Sequence, residues 1–118
     1  MSDRHDPLRE LARSSLEFLR RFGQEPGPHT PVDSHIRNME EEVREFSEAA
    51  RARTDPAHIA EEAADIMVTV INVCYAAGLT IDQIIEGVYQ VAAKNDAKTH
   101  ETHVFSGGKI RRRQRSQD

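Results

Sequence analysis

Apolar residues recur at steps of three and four along four stretches of the chain, and no stretch alternates convincingly. That periodicity predicts four helices and no strand. The first helix is expected over about Pro7 to Phe22, with Leu8, Leu11, Ser15, Phe18/Leu19 and Phe22 as its inner stripe. Asp6 suits its N-cap and Pro7 its first turn. Breakers crowd the segment from Gly23 to Pro31, so it reads as a loop. The second helix starts at Val32 or Ser34 and runs to about Arg51, with Ile36, Met39, Val43, Phe46 and Ala50 on one face. Thr54-Asp55-Pro56 ends it and opens the third, expected from Pro56 to Ala77 with Ile59, Ala63, Ile66, Val70, Val73 and Ala77 aligned. The second half of this helix is apolar nearly all round, which places it at the centre of the fold or at a subunit interface. Gly78 reads as a C-cap. Thr80 and Gln83 have capping-box spacing for a fourth helix carrying Ile81, Ile84/Ile85, Val88 and Val91/Ala92, and its periodicity fades after about Lys94. Short links between helices favour an antiparallel bundle, so the fold class is all-α, a four-helix antiparallel bundle. Residues 1–105 are expected to form one domain and 106–118, which open on the turn Ser106-Gly107-Gly108, a loose basic tail.

Composition narrows the class. The 118 residues suit one domain with a small core, for which a homo-oligomer is a natural solution. Hydrophobic residues make up 37 %, and the apolar run Ile66 to Leu79 is too short for a bilayer span. No signal-peptide pattern opens the sequence, and the single Cys74, read as a core residue, builds no intramolecular disulfide, so a reducing cytoplasm is expected.

Charge changes the picture by its placement. The net charge is −4, from 16 Lys/Arg and 20 Asp/Glu. Nine acids fall between Glu40 and Asp65, with only Arg44, Arg51 and Arg53 among them. The C-terminus is basic, with Lys109, Arg111, Arg112, Arg113 and Arg115. Residues three apart share a helix face, so Glu42 pairs with Glu45 on the second helix, and Glu62 with Asp65 on the third. Packed antiparallel, the two pairs converge beside the core stripe. Converging carboxylates repel unless cations sit between them. Hard divalent ions favour such oxygen ligands, and two of them about 4 Å apart can clamp a phosphate and activate a water.

Glu41-Glu42-x-x-Glu45, sixteen residues, then Glu62-x-x-Asp65 resembles the signature of the MazG-like all-α nucleoside triphosphate pyrophosphohydrolases. That superfamily includes MazG, dimeric dUTPases and phosphoribosyl-ATP pyrophosphohydrolase. The stretch Glu61 to Val70 is similar to its E-E-x-x-D-hydrophobic helix. Leu16 to Gln24 resembles the lead-in helix of the phosphoribosyl-ATP branch, and Lys94-Asn95-Asp96-Ala97-Lys98 its downstream nucleotide-binding segment. The resemblance implies hydrolysis of (d)NTP to (d)NMP and pyrophosphate, in nucleotide-pool control or housecleaning. It implies Mg2+ or Mn2+ on Glu42, Glu45, Glu62 and Asp65, Glu41 acting on the attacking water, Lys94 and Lys98 on phosphates, and Asn95 on sugar or phosphate. It also implies a homodimer or homotetramer.

Asn38 lies one turn before Glu42, and Asn72 continues the Glu62/Asp65/Thr69 stripe; both are candidates for the substrate pocket or, for Asn72, for a buried hydrogen bond. Arg37, beside His35, is a weaker candidate for a phosphate. Phe18 and Phe22 are the aromatic candidates for a base. His100 and His103, three apart, read as a surface loop. A non-catalytic helical interaction module is the first alternative, and nucleic-acid binding through the basic tail the second, although few aromatics accompany the charges. Ferritin-like di-iron chemistry wants Glu-x-x-His pairs, and the chain has only Asp55-x-x-His58.

Overall fold

The computed structural model describes residues 6–27 and 30–114, so Arg115 of the basic tail lies outside the described residues. The four expected helices are α1 (Pro7–Arg21), α2 (Val32–Ala52), α3 (Pro56–Ala76) and α4 (Ile81–Ala97). The chain divides into two compact units, Met1–Ile85 and Glu86–Asp118.

Local chemistry sets the helix ends. The Asp6 carboxylate accepts from the Arg9 amide at 3.0 Å and caps α1. The Thr80–Gln83 box is reciprocal: the Thr80 amide donates to Gln83 Oε1 at 2.8 Å, and the Gln83 amide donates to Thr80 Oγ1 at 3.2 Å. At the end of α3 the Leu79 amide reaches back to the Cys74 carbonyl at 2.9 Å and that of Gly78 to Tyr75 at 3.0 Å, with Gly78 at φ +92°. That is the Schellman closure in which glycine carries no Cβ penalty. The same closure ends α2, where the Thr54 amide donates to Ala49 at 3.3 Å and that of Arg53 to Ala50 at 3.2 Å. There the left-handed position is Arg53, at φ +52°. An L side chain in this conformation costs about 1 kcal/mol. Arg53→Gly is therefore expected to raise stability by about 0.5–1 kcal/mol in urea unfolding, and an unchanged midpoint would contradict the strain.

In the first unit, α3 packs against both α1 and α2. The core is small: Ala12, Ser15 and Leu19 of α1, Ala49 of α2, and Ile71 and Ala76 of α3 are the buried residues. The Ser15 hydroxyl donates to Asn72 Oδ1 at 2.6 Å and ties α1 to α3. Arg9 bridges Asp6 and, at 3.0 Å, Asp82, linking the starts of α1 and α4. The expected stripes of α1, α2 and α3 are too wide. Phe18 and Phe22 point outward, 53 % and 63 % exposed, and pack on each other with ring centroids 5.0 Å apart. Val43 and Val70 are likewise at least two-fifths exposed, as is Met67 outside the α3 stripe. No single helix among the described residues is long and apolar enough to cross a membrane.

The second unit corrects the expectation of no strand. His103–Ser106 (β1) and Lys109–Arg112 (β2) form an antiparallel hairpin in which Phe105 faces Ile110 and His103 faces Arg112. Gly107 and Gly108, at φ +62° and +78°, make the two-residue turn. Positive φ at both positions is what such a turn requires. The start of the basic segment is thus a strand rather than a loose tail.

Candidate functional site

The site follows from the α2–α3 hairpin. The chain reverses at Arg53–Thr54, and residues 42 and 65, like 45 and 62, are spaced symmetrically about that reversal. Antiparallel packing therefore sets each acid of one pair opposite an acid of the other. Ligand atoms of Glu42, Glu62 and Asp65 all lie within 4.8 Å of one another. Glu45, one helical turn from Glu42, acts on that carboxyl through its charge. Burial pushes the Glu42 carboxyl above its ordinary range, with the charges of Glu45, Asp65 and Glu62 adding to the shift. Within the group Asp65 is exposed and Glu42 and Glu62 are partly buried, and the flanking Glu41 and Glu45 are exposed.

Glu42 Oε2 and Glu62 Oε2 are buried and have no hydrogen-bond partner. Buried acceptors without partners are costly, and two on neighbouring carboxylates are doubly so. A hard divalent cation relieves both costs, since it takes oxygen ligands and cancels the repulsion. The donor set therefore fits such an ion.

A hollow of about 380 Å³ opens beside the group and is lined by Glu45, Glu48, Ala49, His58 and Glu62 among others. In the sequence His58 stands out only through Asp55-x-x-His58. It lies one turn before Glu62, with Nε2 3.7 Å from Glu62 Oε1. The signal was its i,i+4 spacing to a candidate ligand, which puts both side chains on one helix face.

The remaining candidates separate. Asn38 and Arg37 are exposed, near the start of α2. Asn72 has its side-chain oxygen engaged by Ser15, so the buried hydrogen bond is present and only its amide nitrogen remains to donate elsewhere. Lys94, Asn95 and Lys98 belong to the second unit, where Lys98 Nζ donates to Asn95 Oδ1 at 3.3 Å. Asn95 and Lys98 line a cleft of about 570 Å³ there, with His100, His103 and Phe105. His103 is a strand residue rather than a loop residue, with Nδ1 2.7 Å from Thr102 Oγ1.

The family model for phosphoribosyl-ATP pyrophosphohydrolase matches residues 21–92, from α1's last residue into α4. The match takes in both acid pairs and stops short of Lys94, Asn95 and Lys98. No curated protein and no solved structure matches the chain. The match spans more than half of the sequence, and its helical hairpin carries the acidic group in the arrangement just described. The chain belongs to the phosphoribosyl-ATP pyrophosphohydrolase family, within the MazG-like all-α pyrophosphohydrolase superfamily.

Proposed function

We propose that this protein is a divalent-cation-dependent nucleotide pyrophosphohydrolase that converts a (d)NTP and water into (d)NMP and pyrophosphate, serving nucleotide-pool control or housecleaning. The carrying observation is the group of Glu42, Glu62 and Asp65 within 4.8 Å, on the two helices covered by the family match. Two of its carboxylates have buried oxygens that no protein group satisfies.

Glu42, Glu62 and Asp65, together with Glu45 one helical turn from Glu42, would hold Mg2+ or Mn2+. Bound there, the cation supplies charge neutralisation for the triphosphate and for the charge that develops in transfer. Glu41 is exposed. It follows Glu42 around the helix by about 100°, which sets it beside the ligands rather than among them. We assign it to orient the attacking water and take its proton. The water oxygen bonds to the α-phosphorus, the bond from that phosphorus to the bridging oxygen breaks, and pyrophosphate leaves with the electron pair.

Pyrophosphate release across NTPs, dNTPs, modified nucleotides and phosphoribosyl nucleotides, with Mg2+ or Mn2+, tests the proposal. Turnover of at least one class, abolished by EDTA, is expected. Silence throughout, or turnover indifferent to EDTA, would contradict it.

We infer further that the working form is a homodimer or homotetramer. Phe18 and Phe22 on α1, which pack on each other, and Met67 and Val70 on α3 are large apolar residues at least two-fifths exposed, which supports faces covered by another copy of the chain. Sedimentation at micromolar concentration is expected to give a multiple of the single-chain mass, and a monomer would refute this.

A further inference from the structure

Glu62 offers its two oxygens in different directions. Oε2 is buried, partnerless and on a side chain of the acidic group, while Oε1 sits 3.7 Å from His58 Nε2. At that separation the two atoms share no hydrogen bond. The Glu62 side chain is 16 % exposed and that of His58 50 %. A firmly packed carboxylate thus stands beside a histidine with freedom to move by a fraction of an ångström. Two ligands of one ion sit roughly 3 Å apart, given bonds of about 2.0–2.2 Å. Histidine and glutamate one turn apart on a helix are spaced to meet on a common ion. The hollow they line also contains Glu45, with small Ala49 leaving it open.

We propose that His58 is a metal-selectivity residue: its Nε2 adds a nitrogen donor to the carboxylate group and strengthens binding of Mn2+ and Co2+ without strengthening that of Mg2+. This rests on the metal-dependent reading above and deepens it. The chemistry is donor preference. Imidazole suits the later transition ions best and adds least for Mn2+, but Mn2+ still accepts a nitrogen donor more readily than Mg2+, which keeps oxygen ligands and water. An all-carboxylate site discriminates weakly between Mg2+ and Mn2+, and one nitrogen donor tilts it.

The test is direct ion binding by the full chain at pH 8. Titration calorimetry with Mn2+, Co2+ and Mg2+ compares the unaltered protein with His58→Ala and His58→Gln. Both variants are expected to lose about tenfold or more in Mn2+ and Co2+ affinity, with Mg2+ affinity within twofold. Pulsed EPR of the Mn2+-loaded protein should show coupling to an imidazole nitrogen that both variants lack. Equal losses for all three ions, no loss for any, or no nitrogen coupling in the unaltered protein overturns the role of His58. Absence of saturable binding of every ion to the unaltered protein overturns the metal reading with it. Because His58 is half exposed, circular dichroism of both variants should match that of the unaltered protein.

Discussion

Glu42→Gln is expected to lower nucleotide hydrolysis by about 10³-fold, equivalent to about 4 kcal/mol of transition-state stabilisation, while making the metal-free protein more stable. The two effects share one cause. In the absence of a cation, Glu42 holds a partly buried carboxylate against Glu62 and Asp65, with Glu45 alongside. Its Oε2 has no donor. Glutamine keeps the shape, removes one of the clustered charges, and brings an N–H that can donate to a neighbouring carboxylate. After solvent screening on the open side, the gain is about 1 kcal/mol, or about 4 °C in Tm. Melting in EDTA should show this rise. Melting in millimolar Mn2+ should reverse the order, because the unaltered protein gains ligand-linked stability that the variant largely loses. A merely structural acid would behave oppositely, destabilising the fold on removal in both conditions. Residual activity within tenfold of the unaltered protein, or a lower Tm in EDTA, would remove Glu42 from the site. A rise in Tm in EDTA together with a fall in Mn2+ would identify the group as a functional arrangement kept at a cost in stability.

Much of this hairpin is legible in the sequence. Helix pairs with three-residue links pack antiparallel, and carboxylates at matching distances from the link must then meet. The capping residues Asp6, Thr80 and Gln83 act through short-range geometry, so their roles can be read from spacing alone, and the structure has each in place. What spacing does not carry is rotamer choice. It predicts four converging carboxylates, and only the folded positions show that atoms of Glu42, Glu62 and Asp65 come within 4.8 Å of one another.

Other features escaped for identifiable reasons. Strands of four residues offer too few positions for alternation to register, so β1 and β2 were hidden although Gly107-Gly108 between Phe105 and Ile110 is a hairpin signal. The stripe of α1 included both Phe18 and Leu19 because adjacent positions differ by only 100°. Periodicity identifies an apolar face, but not whether the same chain covers it. Leu19 is covered by its own chain and Phe18 is not. A lone histidine has many bland roles, so spacing does not single out His58, and only the folded hairpin sets it beside Glu62 and the hollow.

Ile71→Ala is expected to destabilise the protein by about 3 kcal/mol, within the 2–5 kcal/mol typical of such truncations. Ile71 is 1 % exposed and is the largest fully buried side chain among the described residues. Its buried hydrophobic companions are mostly alanines: Ala12, Ala49 and Ala76, with Leu19. Alanines cannot swing inward to fill a void, so the cavity should persist rather than collapse. Ile71 also lies on α3, the helix that packs against both α1 and α2, so loosening it weakens both contacts at once. A loss of 3 kcal/mol is a large share of the stability of an ordinary domain and corresponds to a Tm drop of about 12 °C. Ile71→Val, removing one methylene, should cost only about 1 kcal/mol. Glu62 and Asp65 lie toward the other end of the same helix. Below its melting point, Ile71→Ala should therefore still bind Mn2+ and release pyrophosphate, and lose both when the helix unpacks. Urea unfolding of the two variants measures the gradation. A cost under about 1 kcal/mol for Ile71→Ala would show that the core closes around the gap, and that Ile71 is not the residue on which the packing of α3 depends.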